Sequence, residues 1–163
     1  MSDDLISALR EQEHRLVLDH FDEENAFVIG CGIRERALAR NAPITIEIRS
    51  MARRYFFCAL PGSTPENEDW GRRKANTVLR TYKSSMRAGL EYAAKGRAQW
   101  PDAGLPHSDF VLHGGGFPVS VGGVGVVAAI AISGLPSIED HRLATATLAA
   151  HLGVDDIALP EAG

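Results

Sequence analysis

The chain of 163 residues has few cysteines, and the two present, Cys31 and Cys58, lack the Cys-x-x-Cys spacing. Disulfide scaffolds and cysteine zinc sites depend on several cysteines at short, regular spacings. Both cysteines also stand among apolar residues, where free thiols are commonly buried. The sequence therefore predicts two free thiols, and it argues against a disulfide framework or a cysteine zinc site.

Long apolar runs and an excess of positive charge are missing as well. No stretch approaches the roughly 18 apolar residues of a membrane-spanning helix, and the opening MSDDLIS lacks the basic start and apolar core of a secretory signal. The formal net charge is −4, whereas nucleic-acid binding needs a basic surface or a dense basic stripe. These absences predict a cytoplasmic protein with no membrane or nucleic-acid partner.

What the chain does contain is typical of one globular domain spanning residues 1–163. Hydrophobic residues make up 45% of the sequence and charged residues 23%, the ordinary balance for a single core. No internal repeat or low-complexity segment interrupts it. Residues 96–107 contain one Trp-Pro pair and one Leu-Pro pair. These pairs indicate a connector along the surface and not a linker between domains.

Hydrophobic periodicity predicts the element order α-α-β-β-α-β-β-α. Two helices come first, and the second has apolar residues on two sides, so we expect it to be covered on both. Residues 44–49 alternate strictly between isoleucine and polar residues, which predicts a strand with one buried and one solvated face. Residues 54–60 follow too closely for a parallel crossover and predict an antiparallel hairpin.

One long helix, from Glu66 to about Lys95, shows the clearest helical periodicity in the chain. Beside its apolar face runs a stripe of polar and aromatic side chains at steps of three and four residues: Trp70, Lys74, Thr77, Thr81 and Ser84. Two interpretations stay open. The stripe is either a solvated helix face, or it places Lys74 and Thr77 beside a pocket where an ammonium and a hydroxyl recognise an acidic group.

A second hairpin is predicted towards the C-terminus, from residues 117–121 through a two-glycine turn into residues 124–133. Residues 126–132 are apolar without alternation, which is typical of a central strand covered on both faces. A last helix opens after Pro136. The whole pattern predicts an α+β fold with an antiparallel sheet of four to five strands packed with helices.

The most distinctive motif is His-Gly-Gly-Gly-Phe-Pro at residues 113–118. A strand-like segment follows these glycines where a nucleotide-binding loop would need a helix, and no Gly-Lys-Ser/Thr occurs, so Rossmann and P-loop sites are excluded. The backbone amides can still hold a carboxylate or another anion next to His113. The alternative is that the glycines allow close packing of subunits, as an interface between copies of the chain without any ligand.

Other catalytic signatures are weak. Ser133-Gly134 lacks the Gly-x-Ser-x-Gly nucleophile elbow. Asp140 and His141 are neighbours on a helix, where their side chains point about 100 degrees apart and do not pair directly. No spacing requires these two residues and His113 to converge on a metal. The sequence therefore assigns no catalytic residue and no metal site.

Three segments, in this order and at these separations, resemble the haem-degrading-domain family of GlcG- and HbpS-like proteins. They are Arg-Lys-Ala-x-Thr at 73–77, Gly-Gly-Phe-Pro at 115–118 and Ile-Ser-Gly-Leu-Pro-x-x-x-Asp-His at 132–141. The match extends from about Ile44 to Leu152 and is closest to a branch of uncharacterised bacterial and fungal proteins. It implies a profilin-like or sensor-like antiparallel sheet with helices, a homo-oligomer, and haem binding or degradation in some relatives.

Three hypotheses about function follow. The first is a binding protein for haem, a related tetrapyrrole such as a corrinoid-like ring, or a small organic acid; the second is a homo-oligomeric structural or adaptor protein. The third is a haem-degrading enzyme with His113 as acid/base or axial ligand. The ligand-binding residues expected from motif and resemblance are Lys74, Thr77, His113, Gly115, Gly116, Pro118, Ser133 and His141. The cofactor is not identified, and haem is the candidate that the resemblance supplies.

Overall fold

The computed structural model describes residues 2–161, which form five α-helices and one five-stranded sheet. This is the α+β class that the sequence predicts. The elements in chain order are α1 Ser2–Arg15, β1 Val17–Leu18, α2 Glu23–Ala39, β2 Thr45–Arg49, β3 Arg54–Ala59, α3 Pro65–Thr81, α4 Ser85–Ala94, β4 Gly116–Val121, β5 Gly125–Ser133 and α5 Ser137–Leu152.

The sheet has the strand order β1-β4-β5-β2-β3. Both predicted hairpins are present as antiparallel pairs, with Ile46 opposite Cys58 and Phe117 opposite Ile130. The prediction of a fully antiparallel sheet is wrong at one edge, because β1 runs parallel to β4. A strand of two residues carries no periodicity of its own, so no local pattern marks it in the sequence.

Both faces of the sheet are covered by helices. The face under α2 and α5 buries Ile44, Ile46, Ile48 and Ile130, whereas the face under α3 packs small residues such as Ala131. The long β5 lies between β4 and β2, as its uninterrupted apolar run predicts.

The prediction that β2 has one solvated face is wrong. Thr45 and Glu47 are only 4% and 3% exposed, because α3 lies over that side of the strand. The Glu47 carboxylate accepts a hydrogen bond from Arg54 Nε at 3.2 Å and so stays paired where it is buried. Polar alternation in β2 thus marks a second, more polar interface, not solvent.

The predicted single helix from Glu66 to Lys95 is two helices. Tyr82 ends α3 in a left-handed conformation with φ 57°, and Ser84 caps α4 by accepting a hydrogen bond from the Arg87 amide. Because the apolar sides of both helices pack into the same domain, the hydrophobic periodicity continues across the break and hides it. The Ser84 hydroxyl that the sequence places on a helix face is therefore a buried N-cap.

Within residues 2–161, helix α2 packs against the sheet and α5 and leaves part of its apolar surface exposed. Its inner side carries Gly30, where an added Cβ would lie 2.5 Å from the Phe56 ring. Phe27, Val28 and Leu38 are 58%, 52% and 39% exposed, although the Phe27 ring also meets the Phe56 ring edge to face, with centroids 6.3 Å apart. The expectation of a helix covered on both sides is not met within this one chain.

Neither cysteine forms a disulfide: Cys31 and Cys58 are free and half-buried. Within the described part of the chain, no helix combines the length and the apolarity needed to cross a membrane.

Candidate functional site

The three glycines after His113 form a buried junction inside the domain. An added Cβ on Gly114 would lie 2.5 Å from the Ser137 carbonyl oxygen, and one on Gly116 would lie 2.9 Å from the Lys74 carbonyl oxygen. Gly115 has φ +127°, and its Cβ would lie 2.3 Å from the Ile132 carbonyl oxygen. Only glycine satisfies this backbone angle and this packing together. The turn therefore allows α3, β5 and the start of α5 to approach one another closely.

An ion pair between Lys74 and Asp140 lies directly against this junction. The Lys74 Nζ is 2.9 Å from Asp140 Oδ2 and donates a second hydrogen bond to the Ile132 carbonyl at 2.8 Å. The two side chains are only 4% and 1% exposed. Asp140 lies in the first turn of α5, where its Oδ1 accepts a hydrogen bond from the Leu135 amide at 3.1 Å.

Burial moves the pKa of each partner towards its neutral form. Loss of hydration lowers the pKa of the Lys74 ammonium, and the adjacent Asp140 carboxylate offsets only part of that effect. Loss of hydration also raises the pKa of Asp140, against the opposing charge of Lys74. The pKa values of the two groups therefore lie closer together than they do in water.

A cleft of about 260 Å³ opens above the ion pair. It lies between the first half of α3, the glycine turn and the loop that leads into α5. The residues that line it are Asn67, Trp70, Lys74, His113, Ser133, Gly134, Leu135, Ser137 and Asp140.

An aromatic pair forms one wall of the cleft. The rings of Trp70 and His113 meet edge to face, with centroids 5.3 Å apart, and the Arg73 guanidinium lies 4.5 Å from the centre of the Trp70 ring. The His113 residue is exposed, while its backbone carbonyl accepts a hydrogen bond from the buried Ser85 hydroxyl. A fixed backbone thus presents an accessible imidazole, a group that can bind a metal or transfer a proton.

Of the residues expected to bind ligand, Lys74, His113 and Ser133 come together in this cleft. Gly115 supports it from behind, because an added Cβ there would lie 2.7 Å from Lys74 Nζ. Asp140, which the family motif includes, completes the group.

Three further expected residues lie outside the cleft lining. The Thr77 hydroxyl is buried, donates to the Val111 carbonyl at 2.7 Å and accepts from the Val111 amide at 3.2 Å. Gly116 and Pro118 are buried in β4. Thr77 therefore anchors the segment that leads to His113. The interpretation of the α3 stripe as a solvated face is wrong at Lys74 and Thr77, which are 3% and 0% exposed.

His141 points away from the cleft, although it directly follows Asp140. Its Nε2 lies 2.8 Å from Gln12 Oε1, and its ring contacts Phe117 with centroids 5.6 Å apart. Because an amide oxygen only accepts, Nε2 carries the proton, and Nδ1 has no hydrogen-bond partner among the described residues. Burial lowers the pKa of His141 to about 4. This is a neutral histidine that links α1 to α5.

Sequence reasoning did not select Asn67, Leu135 and Ser137. The position of Asn67 in the sequence is typical of a helix start, and Asn67 does form a capping box with Thr64. The other two flank Pro136 in the motif that opens α5. Within residues 2–161 no group of three or more His, Cys, Asp or Glu side chains is arranged to hold a metal ion.

A family model described as haem degrading protein HbpS-like matches residues 21–149. A UPF0303 protein of Mesorhizobium japonicum is 49% identical over 152 residues, which cover 93% of this chain and 91% of the relative.

Two solved structures share the fold. The crystal structure of the Ybr137w protein aligns with a TM-score of 0.84 and 26% identity, over 91% of this chain and 87% of that one. A structure described as a PduOC:Heme complex aligns with a TM-score of 0.69 and 16% identity, over 86% of this chain and 99% of that one. The second likeness concerns the fold alone.

Proposed function

The chain belongs to the HbpS-like haem-degrading family, and we propose that it is a cytoplasmic, self-associating protein that binds a small ligand in the cleft beside His113. One observation carries the proposal: an accessible imidazole and an indole stand over a buried ion pair in a defined cleft. A few polar groups that converge on a concave surface are typical of ligand sites.

Haem is the first candidate ligand. The family description and the haem complex of a protein with the same fold support it. The residues fit such a group in part, since His113 supplies a ligand type common for haem iron, and Trp70 and Leu135 supply apolar contact. The cleft is slightly smaller than the roughly 300 Å³ at which enclosing sites begin. Haem would therefore bind with much of its ring outside the cleft.

A small organic acid is a weaker candidate than the sequence indicates. The Lys74 ammonium lies 2.9 Å from the Asp140 carboxylate. The positive charge that the sequence predicts for binding an acid is therefore already neutralised within the protein. Thr77, the hydroxyl expected beside it, is engaged with Val111. A flat ring or a neutral polar molecule matches the cleft better than an anion.

Titration with haemin tests the haem proposal. We expect a Soret shift for the wild type, a loss of that shift in His113→Ala, and an unchanged shift in His151→Ala, which removes an exposed histidine outside the cleft lining. A wild type without a shift, or a His113→Ala variant that shifts like the wild type, would overturn haem binding at this site.

Self-association is a second candidate function, and the exposed side of α2 favours it. Phe27, Val28 and Leu38 present apolar surface to solvent in one copy. The glycine turn is not the contact in this proposal, because all three glycines pack against residues of the same chain. Native mass spectrometry should give an oligomer for the wild type and smaller species for Phe27→Ser. The exposed Met51→Ser is the control and should leave the oligomer unchanged.

A further inference from the structure

The one lysine in the cleft differs from the other two lysines of the chain. Lys95 is exposed and Lys83 is half-buried beside Glu91, whereas Lys74 is 3% exposed and lines the cleft. An ammonium has three N–H donors, and two of them reach Ile132 and Asp140. No third hydrogen bond of this ammonium is present among the described residues.

We infer that the Lys74 amine captures a small aldehyde or ketone in this cleft as a Schiff base, with Asp140 as the group that exchanges its proton. The inference rests on the proposed ligand-binding function of the same cleft and names the chemical class of ligand. Three features carry it: Lys74 and Asp140 line the cleft, the carboxylate lies 2.9 Å from Nζ, and the two side chains are only 4% and 1% exposed.

Schiff-base formation at Lys74 needs no reactant besides the carbonyl compound and releases one water molecule. Lys74 passes a proton to Asp140, and the free amine attacks the carbonyl carbon to form a C–N bond while the C=O π bond breaks. A second proton then moves from the nitrogen to the carbonyl oxygen, which gives a carbinolamine. The proton held by Asp140 then goes to the carbinolamine hydroxyl, which leaves as water while the C=N bond forms. Burial favours the first transfer, because it lowers the pKa of Lys74 and raises that of Asp140.

The glycine turn fits this chemistry because it fixes the amine. A Cβ on Gly115 would lie 2.7 Å from Lys74 Nζ, so only a glycine leaves the amine this position between Ile132 and Asp140. A buried ion pair adds little stability relative to apolar residues of the same size. A reaction of the Lys74 amine therefore explains the position of this ion pair in the cleft wall better than a contribution to stability does.

The cleft also limits the size of the carbonyl compound. About 260 Å³, with Trp70 and Leu135 as apolar walls, suits a short chain of a few carbons without charge. Butanal is such a probe, and cyanoborohydride converts its Schiff base into a stable butyl amine.

Reductive labelling at neutral pH followed by peptide mapping is the test. We expect the buried Lys74 to gain a butyl group at least tenfold faster than the exposed Lys95, because the cleft holds the aldehyde beside Lys74, Asp140 lies 2.9 Å away to take up the proton, and burial lowers the pKa of Lys74. Labelling confined to Lys95, Lys83 and the N-terminal amine would overturn the inference, since a purely structural ion pair is protected from the reagent. This outcome needs only the wild-type protein.

Two variants sharpen the result. Asp140→Asn should slow labelling at Lys74 and leave Lys95 unchanged, provided that circular dichroism shows a folded protein. Lys95→Arg, outside the cleft lining, should leave labelling at Lys74 unchanged. If haemin binds through His113 while Lys74 resists butanal, the Schiff-base inference fails and the ligand-binding function stands. If Lys74 is labelled and haemin does not bind, the haem proposal fails instead.

Discussion

The two covered faces of the sheet differ in chemistry. Under α2 and α5 the sheet presents large apolar side chains, with Ile46, Ile132 and Phe117 fully buried. Under α3 it presents alanine, together with polar residues such as Thr45. One face supplies most of the apolar burial. The other keeps polar groups close to a cleft, and small side chains let α3 approach near enough to bring Lys74 to the end of β5.

Two consecutive residues of α5 mark the border between these regions. Asp140 turns to the cleft and pairs with Lys74, while His141 turns to the core and contacts Gln12 and Phe117. Both side chains are fully buried. The comparison shows that burial alone does not identify a functional group, because only Asp140 adjoins a space that a ligand can enter.

The largest expected effect is on the apolar face. Phe117→Ala should lower the free energy of unfolding by about 3–5 kcal/mol, because it opens a cavity among fully packed neighbours. Urea denaturation measures this loss. The control is Met51→Ala, at a site that is 77% exposed, where we expect a change within about 0.5 kcal/mol. Equal effects at the two sites would contradict the placement of the core.

The ion pair should show a different pattern. Lys74→Met or Asp140→Leu alone should cost about 3 kcal/mol, because each leaves a buried charge without its partner. The double variant should cost clearly less than the sum of the two, as a double-mutant cycle in urea measures. Additive losses would mean that the two groups do not act as a pair.

The glycine turn connects the two regions and allows a matched comparison. Gly115→Ala should cost more than about 2 kcal/mol, because strain at φ +127° adds to contact with Ile132. Gly123→Ala also has a positive φ, of +75°, but nothing lies within 4 Å of its added Cβ. There we expect about 1 kcal/mol. A similar loss at both positions would show that packing around the turn is loose.

Acid should weaken the core region through His141. Its pKa is lowered from an ordinary 6.5 to about 4, so the fold favours the neutral ring. This contribution is complete above pH 6.5 and is lost as the pH falls towards 4. Between pH 7.5 and 5 the wild type should lose about 2 kcal/mol more than His141→Gln. The exposed His20→Gln should behave like the wild type, and an identical pH profile in His141→Gln would contradict the assignment.

The fold was predictable where periodicity is long. The alternation of residues 44–49 and the apolar run of residues 126–132 correctly predict two paired strands and a central position for β5. The break at Tyr82 was not, because the apolar pattern continues across it. The two-residue β1 was also beyond reach, since parallel pairing with β4 depends on tertiary contacts that no local pattern encodes.

The site was predictable in part, for a similar reason. Lys74, His113 and Ser133 belong to motifs, and the fold brings them into one cleft. Thr77 shares the helical stripe with Lys74, yet its hydroxyl is engaged with Val111. His141 shares the motif with Asp140 but faces the other way. Sequence spacing shows which residues share an element, and only packing shows which of them meet open space.

A crystal structure of the protein grown with haemin tests the central claim, that the cleft beside His113 is a ligand site, most directly. We predict electron density for haemin at the mouth of the cleft, against Trp70, with an imidazole nitrogen of His113 as the ligand to its iron and Lys74 still paired with Asp140. Haemin bound elsewhere, for example against the exposed Phe27 and Val28 of α2, would contradict it.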